Sequence, residues 1–110
     1  MPFAIITAHN PMDIRLDELE NNERNERLRK DLLLSDFIHR EIIGSSKDHS
    51  HQELSFVVKC NLKQAIQMGN KFEQRAIFWV EDNKLEIVDC KTLKGYDLGS
   101  FKRRLQNQDT

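Results

Sequence analysis

The chain has 110 residues, a length that suits one domain with a single hydrophobic core. Charged residues make up 32% of it and the formal net charge is −1, which disfavours a dedicated nucleic-acid-binding domain because such domains usually present a basic surface. No apolar run approaches the roughly 18 residues that a membrane span needs, and because the first residues show neither a basic segment nor a cleavage site, we expect no signal peptide. We therefore expect a cytoplasmic protein in which Cys60 and Cys90 are reduced thiols.

The first two elements in chain order are a buried strand and a charged helix. Phe3 to Thr7 is short and apolar on both faces, which is typical of a central strand. Residues 16–34 are rich in Glu, Arg, Lys and Leu, which are good helix formers. The periodicity of this stretch favours a late helix start near Asn22, with Asn22 as the N-cap.

Two strands follow, separated by a polar loop. Phe37 to Ile43 has β-branched and aromatic character with polar residues at alternate positions. Gly44 to Ser50 is polar and predicts a loop. Glu53 to Lys59 alternates, with Leu54, Phe56 and Val58 on one side, which indicates a half-buried strand.

A second helix and a hairpin complete the regular part of the chain. Asn61 and Gln64 resemble a capping box at the start of a helix that runs to Phe72. Gly69, in the middle of the apolar face of this helix, indicates close approach to the sheet. Ala76 to Val80 predicts a covered strand, and Asp82-Asn83 is a plausible tight turn into a fifth strand at residues 85–88.

The predicted order, β-α-β-β-α-β-β, is typical of an α+β fold: a two-layer sandwich, ferredoxin-like, with an added C-terminal strand. Residues 1–90 would form one domain and residues 91–110 a tail. In that tail, Ser100 could cap a short helix that carries Phe101 and Leu105 inward. The first four strands would lie in the order 4-1-3-2, so the first and third strands are neighbours.

This topology predicts a polar site at one edge of the sheet, where the first strand ends and the third and fourth strands begin. The candidate ligand-binding residues are Thr7, Asn10, Asn22, Ser45, His51, Glu53 and Gln74. The loop from Gly44 to Ser50 would cover the site as a lid. These groups suit a polar small molecule such as a nucleotide or another anion, and no cofactor or metal is indicated.

The chain resembles a bacterial family of small proteins known only as a domain of unknown function. The resemblance rests on five short stretches in a fixed order, which are T-A-H-N-P at Thr7 to Pro11, Asn22, I-G-S-S at Ile43 to Ser46, H-Q-E-L-S-F at His51 to Phe56, and K-F-E-Q-R-A-I-F-W at Lys71 to Trp79. It implies a shared fold from Pro2 to about Val88 and a shared site at Thr7, Asn10, Asn22, Glu53 and Gln74. It implies no activity.

Several of these residues have a structural interpretation beside the functional one. Thr7 to Pro11 is equally consistent with a simple turn, and Gln74 more readily ties down a loop backbone than binds a ligand. Glu53 favours function, since a carboxylate at a strand entry is harder to justify in a core. His49 and His51 could chelate a metal together with Glu53, although solvated loop histidines are more common.

Three functions follow, in order of preference. The first is a binding or regulatory domain with the polar site described above. The second is a protein-interaction module, an inhibitor or adaptor, which would bind a partner or a second copy of the chain through the open face of the sheet. One of Phe78 and Trp79 would lie in the core under a helix. If the open face carries an apolar patch, we expect Ile77 and Trp79 to form it. The third is an enzyme with His51 and Glu53 as an acid–base pair.

Overall fold

The computed structural model describes residues 2–45 and 52–103. The described residues form an α+β structure with one six-stranded antiparallel sheet, which confirms the predicted class. The elements in chain order are β1 (Phe3–Ile6), α1 (Glu18–Leu34), β2 (His39–Ser45), β3 (Gln52–Val58), α2 (Leu62–Lys71), β4 (Ala76–Glu81), β5 (Lys84–Asp89) and β6 (Gly95–Ser100). A 3₁₀ turn at Pro11–Asp13 precedes α1.

The strand order across the sheet is β2-β3-β1-β4-β5-β6. The first strand therefore lies in the interior of the sheet, where it pairs antiparallel with both β3 and β4. Its apolar sequence explains this position, since a strand with neighbours on both sides and a covered face loses contact with water. The predicted adjacency of the first and third strands is found in the pairing of Ile5 with Val57.

Helix α1 begins earlier than the sequence pattern predicts, so the assignment of Asn22 as its N-cap is wrong. The N-cap is Asp17, whose Oδ1 accepts a hydrogen bond of 2.8 Å from the amide of Glu20. A carboxylate at this position satisfies a free N–H group and interacts favourably with the helix dipole. Asn22 lies inside the helix and is exposed to solvent.

Helix α2 begins as predicted, with a complete capping box. The Asn61 side chain accepts from the amide of Gln64 at 2.8 Å, and the Gln64 side chain accepts from the amide of Asn61 at 3.0 Å. Gly69 lies against the sheet, because a Cβ atom there would approach Cys90 Sγ to 2.7 Å and Ile77 Cγ2 to 2.9 Å. The predicted close approach of this helix to the sheet is therefore present.

Both helices cover the same face of the sheet, and the hydrophobic core lies between them and the strands. The core members from the strands are Ala4, Ile6, Phe56, Val58, Ile77, Trp79 and Val88, and those from the helices are Leu28, Leu32, Ala65 and Met68. Ile77 and Trp79 belong to this core, so the expectation of an exposed patch at these two residues is wrong. Strand alternation instead turns Phe78 to the other face, where it is 38% exposed.

The β4–β5 turn has the predicted hairpin geometry. Asp82 and Asn83 have φ values of 52° and 63°, a left-handed pair that Asn and Asp tolerate. One backbone hydrogen bond extends the role of this turn, because the carbonyl of Asn83 accepts from the amide of Phe101 at 2.8 Å. The turn therefore also anchors the end of β6.

Strand β6 was not expected from the sequence, in which Gly95 and Gly99 indicate breaks. It pairs with β5 across an irregularity at Leu85/Glu86, near Gly99 with its φ of 91°. Residues 101–103 are helical, and the Phe101 ring packs edge-on against Phe3 with the centroids 5.4 Å apart. The predicted inward position of Leu105 lies outside the described residues.

Candidate functional site

The polar residues that follow β1 bond mainly to the protein backbone. Thr7 Oγ1 donates to the carbonyl of Leu54 at 2.7 Å and accepts from the amide of His9 at 3.1 Å. These two bonds connect the end of β1 to β3 and begin the turn that follows. Thr7 thus performs the structural role that the sequence left open beside ligand binding.

Asn10 forms a reciprocal pair with Asn21 of α1. Its backbone is left-handed, with φ 46°, a conformation that Asn adopts more readily than most residues. The Asn10 amide donates to Asn21 Oδ1 at 2.8 Å, and Asn21 Nδ2 donates to Asn10 Oδ1 at 3.0 Å. Asn10 Oδ1 also accepts from the amide of Leu16 at 2.9 Å, so its side chain holds both ends of the loop that leads into α1.

Two further α1 residues hold the backbone of Ala8. Asn25 Oδ1 accepts from the Ala8 amide at 3.0 Å, and Arg24 Nε donates to the Ala8 carbonyl at 2.6 Å. Arg24 Nη2 also donates to the carbonyl of Phe72 at 2.5 Å, although only 12% of the Arg24 side chain is exposed. Where solvent is largely excluded, hydrogen bonds from a charged donor stabilise the fold more than bonds between neutral groups do.

Gln74 connects the same loop to the turn between α2 and β4. Its Nε2 donates to the carbonyls of His9 and Phe72, both at 3.2 Å. The amide of Met12 donates to the carbonyl of Glu73 at 2.6 Å, which joins the two segments again. Gln74 therefore ties down loop backbone, as its structural interpretation predicts.

We call these side chains the polar cluster, and its members are Thr7, Asn10, Asn21, Arg24, Asn25 and Gln74. Within residues 2–45 and 52–103, every buried side-chain nitrogen or oxygen atom has a hydrogen-bond partner. The polar cluster joins the loop after β1, the first half of α1 and the turn before β4. Its bonding groups are directed at the protein itself, which is the usual arrangement for buried polar groups.

The remaining sequence candidates lie apart from this cluster. Asn22 is exposed on α1, and Ser45 is the last residue of β2. Glu53 pairs with Gly44 across β2 and β3, is half-buried, and lies on the sheet face opposite the core by strand alternation. His51 and loop residues 46–50, including most of the proposed lid, lie outside the described residues.

Sequence reasoning missed Asn21 and Arg24 and did not assign Asn25 to a site. Asn21 and Asn25 are 4% and 3% exposed, and with Leu28 and Leu32 they form the buried stripe of α1. The spacing of four, three and four residues was the available signal, since it repeats with the helical period. A buried stripe that begins with two amides predicts polar contacts beneath the first half of the helix.

The second candidate region is the sheet face that the helices leave uncovered, which we call the open face. Register pairs place six residues side by side across all six strands: Arg40, Val57, Ile5, Phe78, Ile87 and Tyr96. We call this line the cross-strand row. Its four central residues are apolar, while Phe78 and the terminal Tyr96 are 38% and 58% exposed.

One corner of the open face is covered and another holds a shallow cavity. Phe101 lies on Phe3, and the neighbouring Val80 and Leu85 are buried. A cavity of about 210 Å³ opens beside Phe3 and includes two residues of the row; its lining residues are Pro2, Phe3, Ile38, His39, Arg40, Val57 and Lys59. The cavity walls are mainly apolar, and the lining includes the cationic residues Arg40 and Lys59.

Two thiols and one carboxylate have shifted pKa values. Burial raises the pKa of Cys60 from 9.0 to about 11 and also raises that of Cys90. Both cysteines are free thiols, in keeping with the sequence expectation. Because their pKa values are raised, the two thiols are protonated and poorly nucleophilic at neutral pH. The amides of Thr92 and Lys91 lower the pKa of Asp89 by donating to its carboxylate.

The described residues provide neither a cluster of metal ligands nor a membrane-spanning helix. Residues 2–45 and 52–103 contain no group of three or more His, Cys, Asp or Glu side chains arranged to hold a metal ion. The same part of the chain has no helix with the length and apolar character needed to cross a membrane.

Comparison with known proteins places the chain in a protein family. The family model described as "Protein of unknown function (DUF3293)" matches residues 6–77, from the end of β1 into β4. The polar cluster lies within this range, whereas only Arg40 and Val57 of the cross-strand row do, since Ile5, Phe78, Ile87 and Tyr96 fall outside it. No curated protein and no solved structure matches the chain significantly.

Proposed function

We propose that this chain, which belongs to the DUF3293 family, is a protein-interaction module whose contact surface is the open face of its sheet. The observation that carries the proposal is the cross-strand row. Val57, Ile5 and Phe78 form an apolar centre on three adjacent strands, and neither helix covers them. A contiguous apolar surface of this kind is typical of a site that binds another protein.

The composition of the row supports a partner that is a protein. Aromatic residues and Arg are enriched in protein interfaces and contribute most to binding energy there. The row places Phe78 near its centre and ends on Arg40 and Tyr96. Large rigid side chains at these positions provide contact area at a low cost in side-chain entropy.

The fold presents this row on a stiff support. We interpret the sheet as a ferredoxin-like sandwich extended by β5 and β6, and the order of elements and strands supports that interpretation. The core beneath holds the strands in place, so the row keeps its shape when the partner is absent. Such a preformed surface binds with less loss of conformational entropy than a loop would.

A polar small-molecule site at the polar cluster is the weaker candidate, because the half-buried side chains of Thr7, Asn10 and Gln74 already bond within the protein. A ligand there would have to replace those bonds. A thermal-shift screen with nucleotides, other polar metabolites and divalent metals tests it: a shift that is lost in Glu53→Ala would restore this candidate. An acid–base role for His51 and Glu53, and a cytoplasmic location, remain predictions.

Photo-crosslinking in cells that produce the protein tests the interaction module. A benzophenone amino acid is placed at Phe78 or Tyr96 on the open face, and at Leu34 or Leu19 on α1 as matched exposed apolar controls. We expect discrete protein adducts from the two open-face positions and none from the two helix positions. Equal labelling at all four positions, or no adduct from the open face, would contradict the proposal.

A further inference from the structure

We infer that the partner of the open face is a second copy of this chain, bound about a twofold axis that runs along the strands between β1 and β4. This inference rests on the proposed function, since it names the protein that the open face binds. The two strands are the third and fourth of six, so the axis passes through the middle of the sheet. The two sheets would then pack face to face about 10 Å apart.

The cross-strand row is complementary to itself under this operation. Rotation about the axis places Ile5 opposite Phe78 of the second copy, and Val57 opposite its Ile87. These positions follow from the register pairs, which set the six residues at equal steps on either side of the axis. Every central residue of the row then meets an apolar residue, as a symmetric dimer interface requires.

The charged and aromatic residues at the two ends of the row favour this axis over the alternative one. The same rotation places Arg40 opposite Tyr96 of the second copy, and both residues are exposed in the single chain. A guanidinium group over an aromatic ring is attracted to the face of that ring. A twofold axis at right angles to the strands would instead place Arg40 against its own copy, which like-charge repulsion disfavours.

The size of the open face suits a dimer of moderate affinity. Five interstrand steps give a width of roughly 24 Å, and strands of six residues are about 20 Å long. This footprint falls toward the small end of specific protein interfaces. Phe101 and Phe3 lie at the same end of the axis in both copies, so their aromatic pairs border the contact on one side. We therefore expect a reversible dimer, with a dissociation constant on the order of micromolar.

Sedimentation velocity over a dilution series of the full chain is the first test. We expect the weight-average mass to rise from one copy to two as the concentration increases. Phe78→Lys and Tyr96→Lys should each weaken association at least about tenfold, because each puts a second buried cation into the contact. Leu34→Lys, a substitution at an exposed apolar residue on α1, should leave it unchanged. Tyr96→Phe keeps the ring and should also retain the dimer.

Identification of the crosslinked peptide separates this inference from the proposed function. A benzophenone at position 78 should label a second copy near Ile5 on β1; labelling at position 78 itself would indicate the other axis and overturn the arrangement. If the protein is a monomer at all concentrations and position 78 labels a different protein, the partner is not a second copy. The interaction module proposed above would then still hold. A monomer that labels nothing, or only its own residues 104–110, would overturn both.

Discussion

The polar cluster and the cross-strand row lie in the same small domain, but they use their side chains in opposite ways. In the polar cluster, Arg24, Asn25 and Gln74 direct their polar atoms at loop backbone, so the bonding is complete within one chain. In the row, Phe78 and Tyr96 present apolar surface that neither helix covers, and both side chains are exposed. The comparison teaches that the concentrated polar residues of this fold stabilise the chain itself. The surface that lacks internal contacts, and that could bind a partner, is apolar.

The sharpest way to test the comparison is to substitute neighbours on β4 that face opposite sides. Ile77→Ala should lower the free energy of unfolding by about 2–5 kcal/mol, because it leaves a cavity in the core. Phe78→Ala should cost less than about 1 kcal/mol in the monomer, since its ring is partly exposed. Urea titrations at a concentration where the chain is monomeric measure both values, and similar losses would show that the open face is covered.

The next largest effect tests the charged member of the polar cluster. Arg24→Met should lower the free energy of unfolding by about 3 kcal/mol, because the buried carbonyls of Ala8 and Phe72 lose a charged donor. Arg27→Met, on the exposed side of α1, is the matched control and should stay within about 0.5 kcal/mol of the wild type. Chemical denaturation measures the free energy of unfolding of the two variants. Equal values would show that the hydrogen bonds of Arg24 do not stabilise the fold.

Two adjacent amides in α1 provide a smaller and cleaner comparison. Asn21→Ala should destabilise by about 1–3 kcal/mol, because the amide of Asn10 loses its acceptor in a part-buried setting. Asn22→Ala should change stability by less than about 0.5 kcal/mol, since Asn22 is exposed. Thermal unfolding monitored by circular dichroism compares them. A larger loss at Asn22 would instead support the site that the sequence predicts there.

The smallest predicted effect is a pH dependence that arises outside both regions. An unfolded thiol ionises near pH 9.0, but the Cys60 thiol in the folded chain keeps its proton until about pH 11. The folded state therefore binds more protons between these values, and its stability falls as the pH rises through this window. Cys60→Ala should reduce that decline while leaving the pH profile below pH 8 the same as that of the wild type. An unchanged alkaline profile would contradict the raised pKa.

Local signals in the sequence predicted most of the elements. The Asn61–Gln64 capping box and the Asp82-Asn83 turn depend on residues three or fewer positions apart, so each can be identified without tertiary information. Strand β6 could not be identified this way. Gly95 and Gly99 lower its intrinsic strand preference, and tertiary contacts, chiefly pairing with β5 across an irregular register, stabilise it.

The candidate site was harder to predict, because its bonds join residues far apart in the chain. Thr7, Asn10 and Gln74, which the sequence singles out, all bond to or within the loop after β1 or to the strand beside it. Their neighbour on α1 was misplaced by one position, since a helix start near Asn22 hides the buried stripe that begins at Asn21. The orientation of Phe78 depends on which alternate residues of β4 face the core. The sequence does not reveal this, because the strand is apolar on both faces.

The interior position of β1 has a consequence for the order of folding during synthesis. This strand precedes all the others in the chain, yet Phe3 pairs with Val80 and Ala4 with Val58. At a synthesis rate of roughly 5–20 residues per second, β1 waits several seconds for both neighbours to emerge from the ribosome. During that interval the strand is an unpaired apolar segment that chaperones can bind, whereas in the finished sheet Ile5 pairs with Val57 on one side and with Phe78 on the other.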